Sequence, residues 1–317
     1  MTDNTFKFID LFAGIGGIRI PFEEFGGSCI FSSEFDRFAK ETYVQNFGEL
    51  PNGDITEIDE KVIPKHDLLL AGFPCQAFSH AGLKKGFNDT RGTLFYEIVK
   101  ILKYHMPSAF LLENVKGLRS HDAGRTIETI EKVLKDLGYY TDKKVLNAKN
   151  FGLPQNRERI FIVGFKNDYN LKTFQWPICE KKEVRIGDIL SKTRVPNKYT
   201  ISDKLWDSHQ KRKIRNQEMG KGFGYKIFDR SDEYTSTLSA RYYKDGSEIL
   251  IRQKNKNPRK LTPREAARLQ GFPDTFKITV SDTQAYKQFG NSVPINVIRA
   301  IAKNLVPVIQ KIVNDKK

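Results

Sequence analysis

Over residues 1–165, short apolar runs alternate with amphipathic stretches, a pattern that predicts successive βα units and a mostly parallel sheet. Phe8–Phe12 reads as a strand ending in a glycine turn, followed by a helix over Ile18–Phe25. Cys29–Ser33 is the second strand and Phe38–Phe47 an amphipathic helix. Asp67–Gly72 is apolar without polar alternation, as expected of a strand covered by helices on both faces. Leu94–Tyr104 places Leu94, Ile98, Ile101 and Leu102 on one helical face. A strand at Ala109–Leu112, a helix at Thr126–Leu137 and a strand at Arg159–Phe165 complete the series. The expected fold is a doubly wound, Rossmann-like α/β domain.

The pattern changes after Trp176-Pro177. Apolar periodicity weakens, and Lys, Arg, Gly, Ser and Tyr dominate to about residue 258, which predicts a smaller region of mixed strands and loops. Helical signals return at Thr262-Pro-Arg-Glu265, where Thr262 suits an N-cap, Pro263 the first helical position and Glu265 the reciprocal place of a capping box. Ile295–Val313 has helical apolar spacing and is expected to pack back on the first domain. The expected division is 1–177 with 279–317 as the larger domain, and 178–278 as the smaller.

The 317 residues carry 53 Lys and Arg against 38 Asp and Glu, a formal charge of +15. Residues 180–282 hold 24 of the basic and 14 of the acidic side chains, so most of the excess lies in the smaller region. Such an excess attracts polyanions and fits nucleic acid. The N-terminal residues show no export signal, and no apolar run reaches the roughly 18 residues of a membrane span. Three scattered cysteines, Cys29, Cys75 and Cys179, form no disulfide framework and fit a reducing compartment. Cys29 and Cys179 are expected to be small buried hydrophobes.

Asp10-Leu-Phe-Ala-Gly14-Ile-Gly16-Gly17 follows a strand and opens a helix, where glycines let the backbone approach a ligand closely. Glu34, at the end of the second strand, can accept hydrogen bonds from ribose hydroxyls. This order suits a nucleoside cofactor, either NAD or S-adenosylmethionine. The missing GxGxxG ending disfavours a pyrophosphate, and Gly53-Asp54-Ile55 offers a carboxylate for an adenine amino group. Both details favour S-adenosylmethionine.

Gly72-Phe-Pro74-Cys75-Gln76 leaves the buried strand at its carboxyl end, and Glu113-Asn-Val115 leaves the next strand likewise. A thiol and a carboxyl beside a methyl donor suit methylation of cytosine C5. Thiolate addition at C6 makes the ring nucleophilic, and an acid at N3 stabilises the density that accumulates there. One of the arginines in Arg157-Glu-Arg159 could clamp the cytosine O2. Taken singly, Cys75 would be a packed thiol and Glu113 a helix cap; their equivalent strand-end positions favour chemistry.

These residues resemble, in order and over nearly the whole chain, a DNA cytosine-5 methyltransferase of the bacterial restriction-modification type. The matching segments are Phe12–Gly17, Glu34, Asp54, Gly72–Ser79, Arg91–Phe95, Glu113–Val115, Gln155–Arg159, Arg264–Arg268 and Gln288–Pro294. The resemblance implies Cys75 as nucleophile, Glu113 at N3 and the exocyclic amine, and Arg157 and Arg159 supporting the base. It implies S-adenosylmethionine contacts at Phe12, Ala13, Gly14, Gly16, Gly17, Glu34, Phe35, Asp54, Ile55, Pro74, Leu94, Asn291 and Val293. The loop Ser79–Arg91 would close over double-stranded DNA, whose target base is extruded from the stack. The smaller region would read sequence: Gly222–Tyr225 and Tyr234–Gly246 resemble segments of members reading CC-initiated sites such as CCGG or CCWGG. The DNA-contact candidates are Ser79, Arg91, Tyr225, Thr237, Leu238, Arg241, Tyr242 and Lys244. A bacterial cytoplasmic monomer, with no metal and with a cognate restriction endonuclease as genetic partner, is expected.

Three other readings compete. The RNA-modifying branch of the family shares Pro-Cys-Gln and Glu-Asn-Val, but the long basic insert and the absence of that branch's Cys-Phe-Thr element stand against it. A nucleotide-dependent dehydrogenase leaves Cys75 and Glu113 idle. A catalytically silent DNA-binding protein explains the charge alone.

Overall fold

The protein is described from a computed structural model covering residues 6–73, 94–169, 173–179, 183–222 and 224–315. Six strands, β1 (Phe6–Leu11), β2 (Gly27–Ser33), β3 (Leu68–Gly72), β4 (Ala109–Val115), β5 (Tyr139–Asn147) and β6 (Glu158–Lys166), form one sheet in the order β2-β1-β3-β4-β6-β5. The β2-β1-β3-β4 part is parallel, and β6 runs antiparallel to both β4 and β5. The chain passes from β2 back across β1 to β3, so the order reverses at β1 and β3. Ligand crevices open beyond the carboxyl ends of strands at such a reversal.

The apolar β3 run is explained by cover on both faces. Leu68 and Leu70 pack with Phe22 and with the face of the C-terminal helix, whereas Leu69 and Ala71 pack with Phe95, Ile98 and Ile130 on the other side. The helices of this sandwich are α1 (Arg19–Glu24), α2 (Arg37–Phe47), α3 (Leu94–His105) and α4 (Arg125–Asp136). Beyond the sheet come α5 (Ile186–Ile189), α6 (Asp203–Glu218), α7 (Pro263–Leu269), α8 (Asp282–Asn291) and α9 (Ile295–Asn314). By length and composition alone, 282–314 would suffice to cross a membrane. In the fold, however, α9 buries Val297, Ile298, Ile301, Leu305 and Ile309 in the core it shares with β1 and α1.

Four features depart from expectation. The strand β5 was not expected: its sequence, Tyr-Tyr-Thr-Asp-Lys-Lys-Val-Leu-Asn, is largely polar because it forms the sheet edge, where charged side chains discourage further pairing. Among the described residues of the 178–258 stretch, the longest element is the 16-residue helix α6, and the strands β7 (Ile227–Phe228) and β8 (Leu250–Ile251) have only two residues each. Cys179 is exposed rather than buried, its Sγ 3.4 Å from Asn150 O. Cys29 is half-buried beside Phe31, and burial pushes its thiol pKa up to about 12.

The capping box at α7 is present and does more than cap. Thr262 Oγ1 accepts from Glu265 N at 3.2 Å, and Glu265 Oε2 accepts from Thr262 N at 2.8 Å. The same fully buried carboxylate accepts from Arg259 Nη1 and Nη2, at 2.7 and 2.9 Å, and from Ser191 N. A bidentate pair of this kind satisfies the buried charge. It anchors a third core of Leu238, Tyr242, Ile251, Leu261, Phe272 and Phe289, which Ile15 of the glycine turn joins.

Candidate active site

Glu113 and Gly72 are register partners at the carboxyl ends of β4 and β3. A Cβ placed on Gly72 would lie 3.4 Å from Glu113 Oε2, so the carboxyl stands over the strand end that leads to Cys75. Asn114 fixes the start of that exit, its Nδ2 donating to Phe73 O at 2.8 Å. Pro74, Cys75, Ser79 and Arg91 lie outside the described residues.

Glu113 is 8% exposed. Arg159 Nε is 3.1 Å from its Oε1. Burial raises the Glu113 pKa above the usual carboxylate range, and the nearby Arg159 and Arg157 only partly oppose that rise. Burial also lowers the Arg159 pKa, against the pull of Glu113. Burial thus shifts the carboxyl toward its neutral, proton-donating form, with a guanidinium at its side.

Arg157 does not share this position. Its guanidinium is 1% exposed and turned into the protein, with Nη1 donating to Leu238 O at 2.8 Å and Nη2 donating to Gly290 O at 3.0 Å and Ser292 O at 2.6 Å. Its terminal nitrogens are thus occupied by backbone carbonyls, which corrects the expectation that it supports the base alongside Arg159.

The glycine turn closes β1. Gly14 (φ 55°) and Gly16 (φ 79°) adopt left-handed conformations, as does Phe12 (φ 56°), a costly backbone for a side chain to hold. Glu34 is buried beneath the turn, Oε2 accepting from Gly14 N and Oε1 from Asp36 N, both at 2.8 Å. Glu34 therefore shapes the turn as well as presenting its remaining lone pairs. Phe35 beside it is 72% exposed. Asp54 caps the turn over Ile55–Glu57, its Oδ1 accepting from Thr56 N and Oγ1, while Ile55 is buried. Leu94 opens α3 and is half-buried.

The C-terminal return brings its own residues to this turn. A Cβ on Gly17 would stand 2.6 Å from Ser292 Oγ and 3.1 Å from Val293 Cγ2, so these two residues form a wall against the turn. Asn291 is exposed at the end of α8, and Val293 is buried. Beneath the turn Asp10 is fully buried, with neither carboxylate oxygen hydrogen-bonded, and burial raises its pKa to about 8.

The basic region divides the DNA-contact candidates. Arg241 and Lys244 are exposed, and Tyr225 is half-buried between Trp206, His209 and Lys213. Thr237 Oγ1 donates to Asn156 O at 2.7 Å. Leu238 and Tyr242 are fully buried: Leu238 lies in the third core, and the Tyr242 hydroxyl donates to Ile249 O and accepts from Leu261 N, both at 2.7 Å. These two side chains therefore hold the segment together and do not present themselves to DNA.

Gln155 belonged to a matched segment but had no assigned role. Its Nε2 donates to Leu269 O at 3.0 Å, and its Oε1 accepts from Leu238 N at 2.9 Å. The apparent signal for it was only a polar residue two before Arg157, too little to identify a buried strap.

A glycine turn on β1, an acid at the end of β2 and a buried carboxyl on β4 define a Rossmann-like methyltransferase. A family model of C-5 cytosine-specific DNA methylases matches residues 6–307. The chain is 61% identical over 309 residues to the type II methyltransferase M1.ScrFI of Lactococcus lactis subsp. cremoris, covering 96% of this chain and 79% of that protein. It is 57% identical to the type II methyltransferase M.NlaX of Neisseria lactamica, covering 98% of this chain and 99% of that protein. The fold is also similar to the crystal structure of the S. pombe Dnmt2 methyltransferase, with TM-score 0.76, 21% identity and coverage of 96% and 99% of the two chains. The chain belongs to the C-5 cytosine-specific DNA methylase family and is an enzyme that uses S-adenosylmethionine.

Proposed function

We propose that the protein methylates C5 of one cytosine, swung out of a specific double-stranded DNA sequence, through a covalent bond between Cys75 Sγ and C6. The observation that carries this reading is Glu113: a buried carboxyl of raised pKa, paired with Arg159, beside the strand end that leads to the cysteine. S-adenosylmethionine supplies an electrophilic methyl group when bound. The glycine turn, with Glu34 beneath it and Ser292 and Val293 against it, has the close-approach geometry such a ligand needs.

The chain's own groups then act in order. The Cys75 thiolate forms the Sγ–C6 bond, and Glu113 gives its proton to N3, so the ring becomes an enamine that is nucleophilic at C5. Arg159 holds the Glu113 carboxyl and reaches the same edge of the pyrimidine. Once C5 carries the methyl, a solvent base takes the C5 proton as the Sγ–C6 bond breaks and the thiolate leaves, and N3 returns its proton to the Glu113 carboxylate, which restores the neutral aromatic ring. Burial raises the pKa of the acid and so favours the proton-donating form that this step uses.

Residues 1–177 with 279–317 would form the catalytic domain, and 178–278 the target-recognition domain. Exposed Arg241 and Lys244 support DNA contact by the latter. The resemblance of 222–225 and 234–246 to readers of CC-initiated sites supports CCGG or CCWGG. We infer a bacterial cytoplasmic monomer acting beside a cognate endonuclease. Bisulfite sequencing of a plasmid from cells expressing the protein tests the reading: one cytosine per recurring site resists conversion, whereas uniformly converted plasmid would overturn it.

A further inference from the structure

The stretch 154–157 touches both ends of the molecule's task. Toward the basic region, Thr235 N donates to Pro154 O and Asn156 N donates to Thr235 O, both at 2.9 Å. Thr237 Oγ1 and Leu238 N add bonds to Asn156 O and Gln155 Oε1. Toward the glycine turn, Arg157 reaches Gly290 O and Ser292 O while also holding Leu238 O. The two segments it joins are in backbone contact, since a Cβ on Gly290 would lie 2.3 Å from Ser239 O.

Arg157 is an expensive residue for this place. A guanidinium without a carboxylate salt bridge in a buried site costs more than an apolar side chain of similar volume, and the neighbouring Arg159 repels it. What an apolar side chain cannot supply is a rigid planar fork that spans three carbonyls from two segments. We propose that Arg157 is a positioning residue that couples the two ligands: it locks the 235–239 segment, the proposed reader of the duplex, to residues 290–292 at the end of α8, where Ser292 stands against the glycine turn of the proposed cofactor site.

This rests on the proposed DNA methylation, and it adds that the correct duplex tightens the cofactor site. Coupling of this kind is reciprocal and falls typically between about 5- and 150-fold. Isothermal titration of S-adenosylhomocysteine should therefore be run on the protein saturated with a duplex of the mapped site, and again with that duplex altered at one base pair. The wild type should bind the ligand about tenfold more tightly on the mapped duplex. Arg157→Lys offers an ammonium that cannot span all three carbonyls, and should bind each ligand alone within about threefold of wild type while its ratio falls toward one. Thr237→Val removes one strap bond at a half-exposed position and should leave a ratio of about threefold, which keeps the test open should Arg157→Lys not fold. A merely structural Arg157 would lower stability and leave the ratio intact. A wild-type ratio of one, or full ratios in the folded variants, overturns the coupling. Because methylation of the plasmid is read separately, that failure is distinct from failure of the proposed function.

Discussion

Arg159 approaches Glu113 to 3.1 Å, yet the carboxyl still sits above the usual carboxylate pKa range, because burial outweighs the ion pair. A salt bridge in water would lower that value; here the ion pair holds the acid in place while burial keeps its pKa raised. The proposed protonation of N3 calls for an acid in that balance.

Glu113→Gln should therefore lose catalysis while keeping the fold. The amide matches the carboxyl in size but has no acidic proton to give, and general-acid contributions run to about 10²–10⁴-fold. Single-turnover methyl transfer measures the loss, and duplex affinity should change by less than about tenfold. In the wild type, the rate limb that depends on protonated Glu113 should fall as pH rises through its raised pKa.

Asp10 makes a pH prediction about stability rather than rate. Its pKa rises from 3.8 to about 8 on folding, so between those values the native state keeps a proton that the unfolded chain releases. Its contribution is thus fully present below pH 3.8 and is lost as pH rises to about 8, with a slope of up to about 1.4 kcal/mol per pH unit. Asp10→Asn cannot titrate. Urea unfolding at several pH values should show the difference between variant and wild type growing in the variant's favour from pH 4 to pH 8, and a constant difference would refute this assignment.

Leu238 and Arg241 lie three residues apart and should behave oppositely. Leu238→Ala empties a fully buried site and should cost about 2–5 kcal/mol in chemical denaturation. Arg241→Ala and Lys244→Ala remove exposed charges and should leave stability within about 0.5 kcal/mol. Each should lower the slope of log affinity against log salt by about one on duplex DNA.

Much of the sheet-bearing part was legible in the sequence, because strand-end chemistry announces itself. The uninterrupted apolar run Leu68–Ala71 required two covering helical layers, and Glu113 had to emerge beside it in a parallel sheet. Thr262 and Glu265 marked a helix start through a local rule, and the reciprocal bonds are there. What escaped is tertiary. The edge strand β5 has the polar surface of a loop, and α6 carries little apolar periodicity because only one of its residues, His209, is buried. Arg157 and Arg159 look equivalent in sequence, but Arg157 precedes β6 and turns into a cage of carbonyls, whereas Arg159 lies on β6 and meets Glu113. Leu238 and Tyr242 likewise lie among the residues expected to meet DNA, and their burial depends on a core assembled from distant segments.

The account depends most on the bond between Cys75 and the target base. A duplex with 5-fluorocytosine at the mapped position cannot lose its C5 substituent as a proton, so the thiol should remain attached. With S-adenosylmethionine present, denaturing electrophoresis and mass spectrometry should show one protein–DNA adduct through Cys75 in the wild type and none in Cys75→Ser. Absence of adduct under saturating cofactor and duplex, or equal yield from Cys75→Ser, would contradict the proposed mechanism.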